Sequence, residues 1–174
     1  MILKKIINLL FFISLTAATQ TCCGQWSYIE AIDNGLDKNI SVYETWLSSN
    51  GFINSNDPDP TSQLKSHTLS DIYGVHLTGY LFQAKRQPIK IRAYADQKKT
   101  VRAIDVLMIN PQSNEYENLQ KVIAKSGYSL KSKSNNKTDG VAMTGFTKKN
   151  HRINLTYAND KTFIIISGTS LGTP

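Results

Sequence analysis

The sequence predicts an α+β fold: a tandem repeat of two α-β-β-β-β units that form one antiparallel sheet of up to eight strands, with the helices packed on one face. The first observation is an internal repeat, because residues 64–80 (LKSHTLSDIYGVHLTGY) and 130–146 (LKSKSNNKTDGVAMTGF) share seven identities without a gap. The second is a helical pattern before each copy, and the third is a pair of strand-like runs after each copy. Links of hairpin length between these runs indicate antiparallel neighbours.

The N-terminus, residues 1–24, has the pattern of a secretory signal peptide. Lys4 and Lys5 precede an apolar run at 6–15, and small residues follow it. The run is shorter than the roughly 20 residues that a membrane span needs, so we expect no transmembrane segment. Small residues permit cleavage after Ala18, Thr19 or Gly24. We favour Gly24, because cleavage there leaves the new terminus just before the first aromatic residues of the folded part.

The cysteine positions bear on the same question. Cys22 and Cys23 are the only two, so cleavage after Gly24 would leave a cysteine-free chain. The alternative is a lipoprotein acylated on one of them, but the preceding residues lack the leucine expected three positions upstream. The Lys-rich start and the Asn- and Lys-rich composition indicate a bacterium. We therefore expect an exported protein, located in the periplasm or outside the cell.

The two repeats are expected to form a single globular domain, with the first repeat at 25–110 and the second at 111–174. The composition of 40% hydrophobic and 19% charged residues is ordinary for a globular protein. Without the signal peptide, 18 basic and 13 acidic side chains remain, a net charge of +5.

The first repeat begins with a short helical turn at 26–35 and an amphipathic helix from Asp37 to Asn50, which Gly51 ends. An inserted loop is predicted at 53–63, because its two prolines forbid a regular ladder and its Asn and Asp residues favour turns. Four strands are then expected, in LKS (64–66), GVHLTGYLF (74–82), PIKIRAYA (88–95) and TVRAIDVLMI (100–109).

The second repeat has the same order. A helix begins after Ser113 as N-cap and stops at Gly127, and strands are expected in LKS (130–132), GVAMTGF (140–146), HRINLTYA (151–158) and KTFIIISGT (161–169). This layout is similar in outline to that of tandem-repeat protein inhibitors of the β-lactamase inhibitory protein type. The similarity covers the order of elements only, without shared residues that would identify a family.

Alternation along the strands predicts which side chains lie on the sheet face away from the helices. If the purely aliphatic side of each strand packs against the helices, the other face collects aromatic and basic side chains. Such mixtures are typical of protein-binding surfaces. We predict as partner-binding residues His76, Tyr80, Phe82, Lys90, Arg92, Tyr94, Phe146 and Arg152. The alternatives for this face are cross-strand packing and a homodimer interface.

The sequence contains no recognisable catalytic or metal motif, so we expect neither an enzyme nor a cofactor. His67, His76 and His151 lie in different strands or turns without ligand-spaced neighbours, whereas a metal site needs three or four converging ligands. Asp57 and Asp59 are separated by proline, which breaks a calcium-loop pattern. No G-x-S-x-G elbow occurs.

The predicted function is that of an exported, non-enzymatic protein-binding module, inhibitor-like or immunity-like, which binds its partner through the open sheet face. Lys and Arg at strand ends favour a partner protein with an acidic surface over nucleic acid, because no nucleic-acid-binding motif is present. The alternative is a small-ligand-binding protein or enzyme that uses a cleft between the repeats.

Overall fold

The computed structural model describes residues 28–55, 77–84, 89–136, 140–158 and 162–171. The predicted signal peptide, the LKS strand of the first repeat, His67, His76 and most of the 53–63 loop lie outside these ranges. Three helices are described: α1 at 28–35, α2 at Ile40–Ser49 and α3 at Glu115–Lys125. The eight strands are β1 Phe52–Asn54, β2 Thr78–Ala84, β3 Ile89–Ala95, β4 Val101–Ile109, β5 Ser129–Asn136, β6 Val141–Lys148, β7 His151–Ala158 and β8 Phe163–Ser170.

All eight strands belong to one open sheet in the order β1-β2-β3-β4-β8-β7-β6-β5, and every neighbouring pair is antiparallel. The last strands of the two halves, β4 and β8, pair at the centre, where Ile104 lies opposite Gly168. The first strands, β1 and β5, lie at the two edges. The predicted α+β class and eight-stranded antiparallel sheet are therefore confirmed.

The main core lies between the three helices and one face of the sheet, here called the helix face. One apolar cluster joins buried residues of α1, α2 and α3 to side chains of the central strands, among them Ile32, Tyr43, Leu119, Ile91, Ile104, Leu155 and Ile166. Burial of these aliphatic and aromatic groups is the main source of stability for a sheet of this kind.

Helix α2 is shorter than predicted at its start. Asp37 has a positive φ of 61°, and Asn39 takes the N-cap position, where its side-chain oxygen accepts a hydrogen bond from the Ser41 N–H at 3.0 Å. Gly51 and Gly127 follow α2 and α3 with φ near 85°, which favours glycine and explains why both helices stop there. In α3 the N-cap position belongs to Asn114 rather than to Ser113.

The faces of β3 and β7 are as predicted, but those of β2 and β6 are reversed. Phe82 is buried and meets the ring of Tyr43 edge-on at 6.3 Å, so it faces α2. Tyr80 packs against the same core, and Phe146 lies within it. The prediction that these three aromatic residues lie on the open face is therefore wrong. Both sides of β2 and β6 are largely apolar, and the larger aromatic groups fill the space under the helices.

The 53–63 loop begins later than predicted. Ile53 and Asn54 belong to β1 and pair with Gln83 and Phe82 of β2. The side chain of Asn54 also donates a hydrogen bond to Glu44 of α2 at 2.9 Å. These contacts extend the sheet to the residues directly after α2.

Candidate protein-binding surface

The face of the sheet opposite the helices, here called the open face, carries an apolar row that crosses four strands. In register from β4 to β6, the row consists of Leu107, Ile165, Thr156 and Met143. One step along the same strands, Ile109 lies opposite Phe163. Ile109 and Met143 are 42% and 41% exposed. Apolar side chains thus remain accessible on the side of the sheet that the described helices do not cover.

A polar row runs beside the apolar row, through Arg92, Asp105, Ser167, Asn154 and Gly145 in register from β3 to β6. The Ser167 hydroxyl donates to Oδ1 of Asp105 at 2.6 Å, and Nε of Arg152 donates to Oδ1 of Asn154 at 3.2 Å. These hydrogen bonds hold polar side chains in defined positions across the sheet. A partner would therefore meet ordered donors and acceptors next to apolar area.

The second glycine of each copy of the internal repeat, Gly79 or Gly145, lies on this face, and the two contact different side chains. Gly79 lies opposite Tyr94, whose ring would be 3.6 Å from an added Cβ. Gly145 lies opposite Asn154, and an added Cβ would come within 2.6 Å of the Ser132 hydroxyl and 3.3 Å of the Asn154 amide oxygen. Gly79 is exposed beside this aromatic ring, whereas Gly145 is buried by its polar neighbours.

Part of the first-half end of the open face is buried. Tyr94 is fully buried and forms a small apolar cluster with Leu77 and Ala103. Arg152, which lies further along the same register in the second half, is exposed. Burial therefore removes Tyr94 from the accessible surface, while Gly79 and Gln83 of the first half and Arg152 of the second remain exposed on the open face.

The predicted partner-binding residues do not all lie on one face of the sheet. Lys90 and Arg92 are partly exposed and Arg152 is exposed, all on the open face, as predicted. Tyr94 lies on that face but is buried. Tyr80, Phe82 and Phe146 lie on the helix face, and His76 lies outside the described residues. A binding role for the residues of the open face stays a prediction.

No protein-family model, curated protein or solved structure matches this chain. The surface must therefore be interpreted from its own residues.

Leu107, Ile165 and Met143 were missed as surface residues by sequence reasoning. In β4 and β8 the runs VRAIDVLMI and FIIIS are apolar at nearly every position, so alternation assigns no face to their aliphatic residues. The polar residues at every second position of these strands did contain a signal. Asp105, Ser167 and Thr169 lie on the open face, so the aliphatic residues that alternate in step with them lie on that face as well.

A charged network lies at one end of the sheet, outside the open face. Asp37 accepts hydrogen bonds from the Ser170 hydroxyl at 2.7 Å and from Arg102 at 3.2 Å, and Nε2 of His151 lies 3.1 Å from its other oxygen. Burial raises the pKa of Asp37, but these hydrogen bonds and the charges of His151 and Arg102 outweigh it and hold the pKa below the ordinary value. The network ties the turn between α1 and α2 to the ends of β4, β7 and β8.

Asp96 extends this network. It accepts hydrogen bonds from the backbone N–H groups of Lys98 and Thr100, both at 2.9 Å, and pairs with Arg102 at 2.8 Å. Burial raises the pKa of Asp96, and these contacts more than offset it, so that the pKa lies below the ordinary value. The carboxylate thus stabilises the turn between β3 and β4.

A cavity of 260 Å³ lies where the chain passes from β4 to α3. Its wall includes Tyr28, Met108, Gln112 and Glu115. Burial, together with the charge of Glu115, raises the pKa of Tyr28 to about 12. Both apolar and polar residues line the cavity, which lies at the junction of the two halves of the chain.

Within the described ranges, no group of three or more His, Cys, Asp or Glu residues is arranged to hold a metal ion. The helices of that part of the chain are all too short or too polar to cross a membrane.

Proposed function

We propose that this protein is a non-enzymatic, protein-binding module, inhibitor-like or immunity-like, that binds its partner through the open face. The observation that carries the proposal is the apolar row of Leu107, Ile165, Thr156 and Met143 on a sheet face that the described helices leave uncovered. Accessible apolar area beside ordered polar groups is the usual composition of a protein interface.

The charge of the open face favours an acidic partner. Its described ionisable side chains are Lys90, Arg92 and Arg152 against Asp105. Complementary charge would speed the encounter with an acidic surface, and added salt would slow it. The partly buried aliphatic row would then supply most of the affinity, because apolar area at the centre of an interface is removed from water.

We also infer that the two halves arose by duplication of one α-β-β-β-β unit. The support is that each half contributes a helix followed by four antiparallel strands, and that the two last strands pair at the centre of the sheet. The repeated Thr-Gly pairs at 78–79 and 144–145 lie in corresponding strands, β2 and β6. On this basis the partner-binding residues are those in which the two halves differ.

The expected location is outside the cytoplasm. Residues 1–24 support it through their basic start and apolar run. Mass spectrometry of the mature N-terminus tests it: an N-terminal Gln25 is expected, and a diacylglyceryl group on Cys22 or Cys23 would instead show a lipoprotein.

The binding surface is tested with two matched pairs of variants in affinity capture from the native organism. Met143→Glu and Arg152→Glu change the open face, and Val42→Glu and Lys121→Glu make the same kinds of change at exposed positions of α2 and α3. We expect a partner captured by the wild type and by both controls to be lost with both open-face variants. If all four variants capture the same proteins with equal yield, the open face is not the binding site. Unchanged thermal unfolding of each variant confirms that its fold is intact.

The cavity supports a second candidate function, the binding of a small ligand between the two halves. Its 260 Å³ lies below the roughly 300–1,000 Å³ that is usual for ligand sites, which is why we rank this function second. Native mass spectrometry of the protein from its own host tests it. A bound small molecule that is absent from the cavity-filling variant Gln112→Trp would support ligand binding, and a ligand-free wild-type protein would contradict it.

A further inference from the structure

The strand β5 forms one edge of the sheet, and no other described strand pairs with the backbone along its outer side. It is the last strand in the sheet order, and it is eight residues long, whereas the opposite edge strand, β1, has three. Every described side chain from 129 to 135 is exposed, and Leu130 is 54% exposed. An edge of this length is a template for an additional strand.

The charge of β5 restricts which strand can add to this edge. Its sequence, SLKSKSNN, contains two lysines and no acidic residue. Within the described part of the chain, neither Lys131 nor Lys133 makes an ion pair. The pairing with β6 is irregular between Leu130 and Ser132, so that Lys131 is the extra residue of a bulge.

A second copy of this chain is a poor occupant of the edge. In an antiparallel pair of two β5 strands centred on Ser132, Lys131 of each copy would lie opposite Lys133 of the other. Like charges directly opposite each other destabilise a strand pair. The same lysines would attract a strand with acidic side chains at alternate positions, so they select against self-pairing and for an acidic segment.

We propose that β5 binds an extended acidic segment of another protein as a ninth, edge-paired strand. The backbone of β5 supplies the hydrogen bonds, Lys131 and Lys133 supply charge complementarity, and the exposed side chain of Leu130 offers apolar contact. This edge is separate from the open face, so the inference does not rest on the proposed function and can fail or succeed independently of it.

The probe is an acetylated and amidated heptapeptide of alternating Glu and Thr, titrated into the isotope-labelled intact protein and followed by NMR. We expect the amide signals of 129–135 to shift and their hydrogen exchange to slow. The double variant Lys131→Glu/Lys133→Glu is expected to raise the Kd for this peptide at least about ten-fold and to prefer a Lys-Thr peptide. The matched control Lys121→Glu/Lys125→Glu reverses two charges on α3 and is expected to leave the Kd within about two-fold.

Two N-methylated forms of the peptide separate strand pairing from simple charge attraction. N-methylation of alternate residues blocks the hydrogen bonds of one edge of the peptide, so one of the two forms is expected to lose binding and the other to retain it. The open-face variant Met143→Glu is expected to bind the peptide as the wild type does.

Several results would overturn the inference. They are equal binding of both N-methylated forms, equal weakening by the β5 and α3 double variants, and peptide-induced shifts confined to other strands. Self-association of the wild type that the β5 double variant abolishes would also overturn it, because a second copy would then be the occupant.

Discussion

Replacement of Gly168 by Ala tests the packing of α1 on the centre of the sheet. Gly168 lies in β8 opposite Ile104, and a Cβ added to it would overlap Cγ2 of Ile32 in α1. The Cγ1 and Cβ atoms of Ile32 would lie at 3.4 and 3.5 Å, so the contact involves the base of the side chain as well as its end. Ile32 is fully buried and β-branched, so α1 itself must move to relieve the overlap.

The expected loss follows from two opposing effects. Overpacking of a core costs about 1–3 kcal/mol, whereas replacement of a strand glycine by alanine recovers about 0.5–1 kcal/mol of backbone entropy. Gly79→Ala is the matched control, because Gly79 is also a strand glycine but an added Cβ would lie 3.6 Å from the nearest atom, in ordinary contact with Tyr94. The difference between the two variants therefore isolates the overpacking.

Urea unfolding of both variants and the wild type measures this difference. We expect Gly168→Ala to have a free energy of unfolding about 1–3 kcal/mol below that of Gly79→Ala, with Gly79→Ala equal to or above the wild type. A parallel thermal experiment should show about 2–4 °C per kcal/mol for a domain of this size. Equal stability of the two alanine variants would refute the assignment of Gly168 to the packed helix face.

Three further predictions concern the core, the hydrogen bond between Tyr128 and Asp33, and the charged network of Asp37 and Asp96. Phe82→Ala should lower the free energy of unfolding, measured in urea, by about 3–5 kcal/mol, because Phe82 fills the space under α2. A loss below about 1 kcal/mol would contradict the burial of this residue, since substitutions at the surface have effects of that size. Tyr128→Phe should cost about 1.5–3 kcal/mol by the same measurement, because it removes the hydrogen bond donated to Asp33 at 2.5 Å. Asp37 and Asp96 have folded-state pKa values below the ordinary 3.8, so their contribution to stability should be complete above that pH and be lost as pH falls through the folded values. Urea midpoints measured from pH 6 to pH 2 should therefore fall less steeply for Asp37→Asn/Asp96→Asn than for the wild type.

The elements α2, α3 and β3 could be predicted because each of their patterns was unambiguous on its own, whereas β1 lies where an inserted loop was expected. Tyr43 and Leu47 recur at helical spacing and are buried in α2, and Leu119 and Ile123 do the same in α3. In β3, Lys90 and Arg92 alternate with aliphatic residues, so only one face could enter the core. Local periodicity therefore determined both the type of these elements and their buried side.

The faces of β2 and β6 could not be predicted, because periodicity there is nearly balanced. In β2, Leu77 and Leu81 oppose Tyr80 and Phe82, so both sides are apolar and alternation gives no preference. The fold resolves this by volume: the ring of Phe82 fits under α2, and the smaller side chains take the other face. Which side chains fill a gap depends on the helix above it, and the sequence of one strand contains no information about that helix.

The corrected faces also change which differences between the two halves matter. Tyr80 and Phe146 differ between the halves but contribute to the core, so their divergence reflects packing. On the open face, Gly79 and Gly145 are alike, yet Gly79 is exposed beside the buried ring of Tyr94, whereas Gly145 is buried by the Ser132 hydroxyl and the Asn154 amide. The two halves thus differ at this position in accessibility: the backbone is accessible at Gly79, whereas the side chains of Ser132 and Asn154 close it off at Gly145.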